Sequence, residues 1–331
     1  MSALHPKGTG SVEADDKTGP LNSALICGSM AFDTIMVFHD KFKNHILPEK
    51  VHMLNVSFFV PELRREFGGC AGNIAYNLHL LGEKALPMAT VGKDFASYAD
   101  WMSQAGVSQE YLKVLDDDFT GQAYITTDED DNQITAFHPG AMGRSELNQV
   151  PTDAGISIGI VSPDGKAGMV EHAEQFVEAG IPFVFDPGQG MPMFDADELK
   201  TFIAQATWIT LNDYEAAMLQ ETTGLSPGEI AQQVEALIIT KGAEGSLIYI
   251  GNKRLDIPAA KAVATVDPTG CGDAYRGGLL YGLMNGLDWE VTGRIASLMG
   301  AIKIAHAGTQ NHSVTLDELR AEYSEQFGRS F

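Results

Sequence analysis

The chain has 331 residues, 44 of them Asp or Glu against 22 Lys or Arg, for a formal net charge of −22. Its length fits one large domain or two modest ones, and 44% apolar with 20% charged residues is a globular balance, not a disordered one. Nucleic acid and anionic lipid, which both need basic patches, are excluded as general partners, although backbone N–H groups or a metal ion can still hold a small anion.

Met1 to Asn22 is rich in Gly, Ser, Asp and Lys without an apolar run, so residues 1–23 read as a disordered extension, not a signal peptide. Ala24–Gly28 is the first strand. Ala71–Leu81 carries Ile74, Leu78 and Leu81 on one helical face and stops at Gly82. Ala85–Val91 is a strand and Phe95–Ala105 a helix ended by Gly106. Strands Ile156–Val161 and Phe183–Asp186 flank a helix near Gly168–Ala179. Asp195 caps a helix through Ala206, and a strand follows at Trp208–Leu211. Ser226 and Glu229 have capping-box spacing around Pro227, as do Thr315 and Glu318 before a last helix. Leu237–Thr240 and Ser246–Ile250 are strands, and two helices fill most of Gly272–Ala305. This alternation predicts an α/β fold on a mainly parallel sheet. Thr34–Phe67 and Thr120–Ala141 break it. The second reads as a hairpin, Gln122–Thr127 and Gln133–His138, so the two together predict a small antiparallel β appendage, a lid or an oligomer contact.

Cys27, Cys70 and Cys271 show no CxxC or Cys/His spacing, so a disulfide framework and a structural zinc are not expected, and a reducing cytoplasm is. No run approaches the ~18 apolar residues of a membrane span.

The most informative stretch is Asp267-Pro-Thr-Gly-Cys-Gly-Asp273, which enters an amphipathic helix. Gly270 and Gly272 let a ligand approach the backbone, and successive N–H groups at a helix start make an anion site. Asp273 beside such a site suits a general base that takes a hydroxyl proton as a phosphoryl group arrives. Equally, an ordinary Gly-rich turn would place Asp273 against the helix dipole. A P-loop GxxxxGK[ST] is absent, and no GxGxxG follows the first strand. Phe67-Gly-Gly-Cys-Ala-Gly-Asn73 opens another helix, and Asn73 offers a donor and an acceptor to a polyhydroxyl ligand or caps its own helix. Asp33 lies just past the first strand, where a carboxylate can grip a vicinal diol or simply make a turn.

In one order the chain carries GSxxxD at Gly28–Asp33, GGxxxN at Gly68–Asn73, VGxD at Val91–Asp94, NxxE at Asn212–Glu215, TxGxxG at Thr240–Gly245 and DPTGCGD at Asp267–Asp273. Over about residues 24–310 this resembles the ribokinase (PfkB) family of carbohydrate and nucleoside kinases. The resemblance implies a ribokinase-like three-layer αβα sandwich over 24–331, with a lid from about 34–67 and 120–141. It implies Asp273 as base; Gly270, Cys271 and Gly272 as the anion hole; and Asp33, Gly69 and Asn73 on the sugar. Asn212 and Glu215 would arrange Mg²⁺ with ATP, Glu215 through water, and Asn212 would also serve as an N-cap. Thr240, Gly242 and Gly245 would form the nucleotide loop, and His306, Gln310 and Asn311 would line the adenine or merely end a helix. Asp267 matches the place where some relatives hold a monovalent cation such as K⁺, and Arg276 would reach phosphate or pair with an acid.

A phosphorylated sugar would want a basic cluster in the lid. Thr120–Ala141 has none, while Thr34–Phe67 interleaves Lys41, Lys43, Arg64 and Arg65 with Phe38, Phe42, Phe58 and Phe59. Met53, Phe58, Phe59, Phe137 and Met142 offer apolar walls for a base. The wording of GGCAGNIAYNLHLLG and DPTGCGDAYRGG resembles the adenosine and broad-specificity nucleoside kinases of the family. That implies ATP-dependent phosphorylation of a nucleoside 5′-hydroxyl by a monomer or homodimer, with nucleoside and ATP as small-molecule partners. A ribokinase- or fructokinase-like sugar kinase and a catalytically silent binding regulator are the alternatives.

Overall fold

Short apolar runs buried on both faces build the main sheet of the computed structural model, which describes residues 23–331 except 47–52, 54, 131, 153 and 154. The expected extension at 1–22 lies outside the described residues. In chain order the elements are β1 (Ser23–Cys27), β2 (Ala31–Val37), β3 (Glu62–Gly68), α1 (Cys70–Leu80), β4 (Lys84–Gly92), α2 (Ala96–Ala105), β5 (Tyr111–Leu115), β6 (Gly121–Thr127) and β7 (Gln133–His138). There follow β8 (Ile156–Val161), α3 (Lys166–Ala179), β9 (Phe183–Phe185), α4 (Ala196–Gln205), β10 (Trp208–Asn212), α5 (Asp213–Thr223), α6 (Pro227–Ile230) and β11 (Ala236–Thr240). The chain closes with β12 (Ser246–Ile250), β13 (Lys253–Ile257), α7 (Cys271–Met284), α8 (Trp289–Ile304) and α9 (Leu316–Phe327).

Nine strands form the main sheet in the order β13-β12-β11-β10-β9-β8-β1-β4-β5. It is parallel from β11 to β5, and β12 and β13 add an antiparallel edge. Strand alternation sends Ala24 and Ile26 of β1 into one core, with α1, α2, α7, α8 and α9, and Leu25 and Cys27 into the other, with α3, α4 and α5. Three layers result, the ribokinase-like α/β arrangement the sequence predicts. β5 and β13 are strands the apolar pattern did not mark.

β1 lies between β4 and β8, so the chain winds outward from it in both directions, and in open α/β sheets ligands sit beyond the carboxyl ends of the strands at such a point. The second sheet, β3-β2-β6-β7, leaves that crevice directly: Ala31 follows β1 by four residues. Its outer pairings are antiparallel and its central pairing, β2 with β6, is parallel. Asp94, just after β4, fixes its base, accepting from Thr120 N at 2.7 Å and Gln122 Nε2 at 2.9 Å. No helix among the described residues is long and apolar enough to cross a membrane.

Candidate active site

Gly270 is the N-cap of α7, at φ 79° in the left-handed region, and no side chain caps the helix. The first N–H groups of a helix have no intrahelical acceptor; here Cys271 N reaches back to Pro268 O at 3.2 Å, and Gly272 follows it in the first turn. Asp273 follows in the first turn and accepts a hydrogen bond from Asn73 Nδ2 at 2.8 Å. Burial pushes its pKa up to about 6; Asn73 and Arg276 pull it down, and Asp186 and Asp33 add to the rise. A carboxylate so placed is a base poised just below neutrality. The Cys271 thiol, by contrast, is pushed up to about 11, mainly by burial, and is no nucleophile at neutral pH.

Asn73 is itself held. Its Oδ1 accepts from Gln310 Nε2 at 2.9 Å, and the same amide nitrogen donates to Tyr98 OH at 2.6 Å. Tyr98 in turn donates to Gly68 O at 2.9 Å, and Gln310 Oε1 accepts from Trp101 Nε1 at 2.9 Å. Gln310 therefore buttresses the Asn73 side of the crevice. It is 4% exposed, so Gln310→Leu strands several buried polar groups and lowers stability by about 1–3 kcal/mol. A lower urea midpoint at unchanged slope reports this loss; an unaltered midpoint refutes it.

Gly69, at φ 87°, starts α1, where a Cβ would stand 2.5 Å from Ser29 O. A Cβ on Gly68 would lie 2.5 Å from Asp33 Oδ2, so Gly68 makes room for that carboxylate. Burial, then Glu66 and Asp267, push the Asp33 pKa up to about 6. Across the second sheet the register runs Glu66, Asp33, Ala123, Phe137, one row on one face, so Phe137 comes onto the Asp33 face with half its surface open. Phe58 stands elsewhere, its ring 4.9 Å from Phe38 and 5.0 Å from Phe42, inside the appendage's own aromatic core and not free as a wall for a base. Met53 and Phe59 are largely exposed.

Asn212 ends β10 and caps α5. Its Oδ1 accepts from Glu215 N at 2.7 Å, while the Glu215 carboxylate accepts from Asn212 N and Nδ2, each at 2.8 Å. The N-cap reading is thus realised. Glu215's pKa is raised, by burial first, with Asp186 adding to it. Among the described residues no three or more His, Cys, Asp or Glu are grouped to hold a metal. A partly buried carboxylate with free lone pairs, but no cage, fits Mg²⁺, which favours one or two carboxylates plus phosphates. Thr240 pairs with Asn212 across β10–β11, and the turn from Gly242 to Gly245 follows it. A Cβ on Gly245 would stand 2.1 Å from Ile257 O. Ser246 beyond the turn bonds Tyr275 OH of α7 at 2.8 Å, tying this loop to the Asp273 helix.

Arg276 resolves in favour of an acid. It clasps Asp186 through Nη2–Oδ1 at 2.7 Å and Nε–Oδ2 at 3.1 Å, with Nη1 on Gly272 O at 3.3 Å. The motif reading missed Asp186, although it stands just past the end of β9, the same strand-end placement that marks Asp33. His306 is exposed after α8, with Nδ1 3.1 Å from Ile302 O, and nothing described ties it to the Thr240–Gly245 loop.

A model of the pfkB family carbohydrate kinases matches residues 32–316. The nucleoside kinase of Methanocaldococcus jannaschii is 30% identical over 274 residues, 82% of this chain and 90% of that one. The structure of Burkholderia thailandensis nucleoside kinase in complex with inosine superposes with a TM-score of 0.84 at 52% identity, covering 93% of this chain and 99% of that chain. That kinase in complex with ADP-inosine gives 0.82 at 53% identity, covering 93% and 97%.

Proposed function

The chain belongs to the pfkB family of carbohydrate kinases, a phosphotransferase with an alcohol acceptor, and on that premise we propose that it transfers the γ-phosphoryl group of ATP to the 5′-hydroxyl of a purine nucleoside. The observation that carries this reading is Asp273: a carboxylate with a pKa near 6, oriented by Asn73, beside the uncapped start of α7. Asp273 takes the 5′-hydroxyl proton as the oxygen attacks in line, and ADP leaves. The start of α7 at Gly270, Cys271 and Gly272 meets the charge that builds on the transferred phosphoryl oxygens. Asp33, Gly69 and Asn73 hold the ribose, and Phe137 offers a face to the base. Asn212, Thr240 and the Gly242–Gly245 turn hold the nucleotide, with His306 near its adenine end. Glu215 would hold Mg²⁺ through water, and the ion, when bound, neutralises phosphate charge.

A nucleoside acceptor, which carries no phosphate, agrees with the basic residues of 34–67. Lys41 and Lys43 bond Asp130, Arg64 lies 3.4 Å from Glu66, and Arg65 lies 3.9 Å from Asp94. Their charge is spent within the protein instead of facing a sugar phosphate. The segments 34–67 and 120–141 form the lid of a single kinase domain over 24–331, closing on the ribose and excluding water. Three free cysteines accord with a cytoplasmic setting. ADP release measured with adenosine, inosine, guanosine, cytidine, ribose and fructose is saturable with purine nucleosides and abolished by EDTA. Turnover of a free sugar alone, or ligand binding without any turnover, overturns the reading.

A further inference from the structure

Lys303, in the last turn of α8, is 0% exposed. Buried lysines are almost always paired with an acid, because an unpaired ammonium is costly to dehydrate. Here, among the described residues, no carboxylate oxygen lies within 4.0 Å of Nζ. The ammonium donates instead to two backbone carbonyls, Asp267 O at 2.7 Å and His306 O at 3.2 Å. Burial lowers its pKa, while Asp267, Cys271 and Asp273 oppose the fall.

The carbonyl it holds is the first of the Asp267–Gly272 turn. The Cys271 thiol leans on the same oxygen at 3.9 Å, and Cys271 N donates to Pro268 O at 3.2 Å. Both oxygens of the Asp267 carboxylate accept backbone hydrogen bonds in the same structure, Oδ1 from Thr269 N and Oδ2 from Gly308 N, each at 2.9 Å. A free monovalent cation on the Asp267 carbonyl therefore does not fit, because that oxygen already faces the Lys303 ammonium at 2.7 Å. A dehydrated ammonium on backbone carbonyls is chemically what a bound K⁺ or NH₄⁺ would be.

We propose that Lys303 is a positioning residue whose ammonium serves as a tethered monovalent cation under the anion-binding turn, so that phosphoryl transfer needs no free one. The inference rests on the kinase reading given above. In ADP-release assays with Mg-ATP and inosine at fixed ionic strength, the unaltered enzyme turns over equally in choline chloride and KCl. Lys303→Ala loses about 10²-fold in kcat in choline with little change in the inosine KM, as a slightly displaced turn would cause, and K⁺ or NH₄⁺ restores most of it. Melting in the presence of Mg-ADP reads the same site without turnover: KCl in place of choline raises the Tm of Lys303→Ala and leaves that of the parent unchanged.

Activation of the parent by K⁺, an unimpaired Lys303→Ala, or a folded Lys303→Ala that no monovalent cation rescues each overturns the proposal. Should Lys303→Ala fail to fold, Lys303→Met takes its place, and the K⁺ response of the parent decides alone if neither folds. Absence of turnover with every acceptor would instead strike the kinase reading, leaving the melting comparison to judge Lys303.

Discussion

Asp273→Asn lowers kcat about 10²–10⁴-fold, the range for loss of a general base, while nucleoside binding survives because the new amide oxygen still accepts from Asn73. Near-normal turnover removes Asp273 as the base. In the parent enzyme, activity falls as the pH drops through about 6, where the carboxylate gains its proton. Stability moves the other way. The folded pKa, about 6, stands above the ordinary 3.8, so the fold favours the neutral acid. That contribution is complete below 3.8 and lost as the pH rises through 6, and at neutral pH the ionised side chain is a net cost. Asparagine removes this cost, so the variant is more stable, by an amount on the order of 1–3 kcal/mol at about 1.4 kcal/mol per pKa unit, and unfolds at a higher temperature. A slower enzyme with a lower or equal Tm contradicts this account of the carboxylate's burial.

Arg276→Met causes a large loss of stability. Its guanidinium is 7% and its partner Asp186 3% exposed, and removing one member of such a pair costs about 3–5 kcal/mol because the other charge remains buried alone. Asp186 keeps only the Ser162 hydroxyl, 3.2 Å from Oδ2. The double variant Asp186→Leu with Arg276→Met regains most of the loss in urea unfolding; a double variant no more stable than the single one refutes a charge-based explanation. Function responds separately. Arg276 lowers the Asp273 pKa and Asp186 raises it, so the single variant, wherever it folds, shows its acid limb displaced above pH 6. An unmoved limb would mean that the pair supports the fold without acting on the base.

The parts of the site legible in the sequence are those written as local patterns. Gly270 and Gly272 announce a backbone opened to a ligand, Asn212 and Glu215 announce a capped helix start, and Asp33 and Asp273 stand where strand ends and helix starts put carboxylates. The frame was legible for the same reason: β1, β4, β8 and β10 are buried on both faces and read as uninterrupted apolar runs. β13 was not, because its Lys-Arg-Leu-Asp-Ile run is an edge strand open along most of its length. Residues whose task is to hold other residues left no local mark. Gln310 and Asp186 meet their partners 237 and 90 positions away. Lys303 is a cation in the apolar second half of α8, a visible oddity, but nothing nearby in sequence says that backbone carbonyls receive it. Phe58 misled for a related reason: an aromatic ring in a presumed lid can as readily build the lid's core as face a ligand.

The chain of hydrogen bonds behind the base has a consequence for how the protein is made. Asp273 meets Asn73 across 200 residues, and Asn73 meets Gln310 across 237, while β1, the first strand described, pairs with β4 and β8 on either side. Pairings so distant are slow to form, since the loops they close must lose their freedom first. On the ribosome, Asn73 is synthesised long before its partners, and the helix that carries it must wait, its buried amide unanswered, until α8 and the segment after it have emerged. The base is thus switched on by the completion of synthesis: a chain interrupted before Gln310 holds the glycine turns and the carboxylate, but not the brace that aims them.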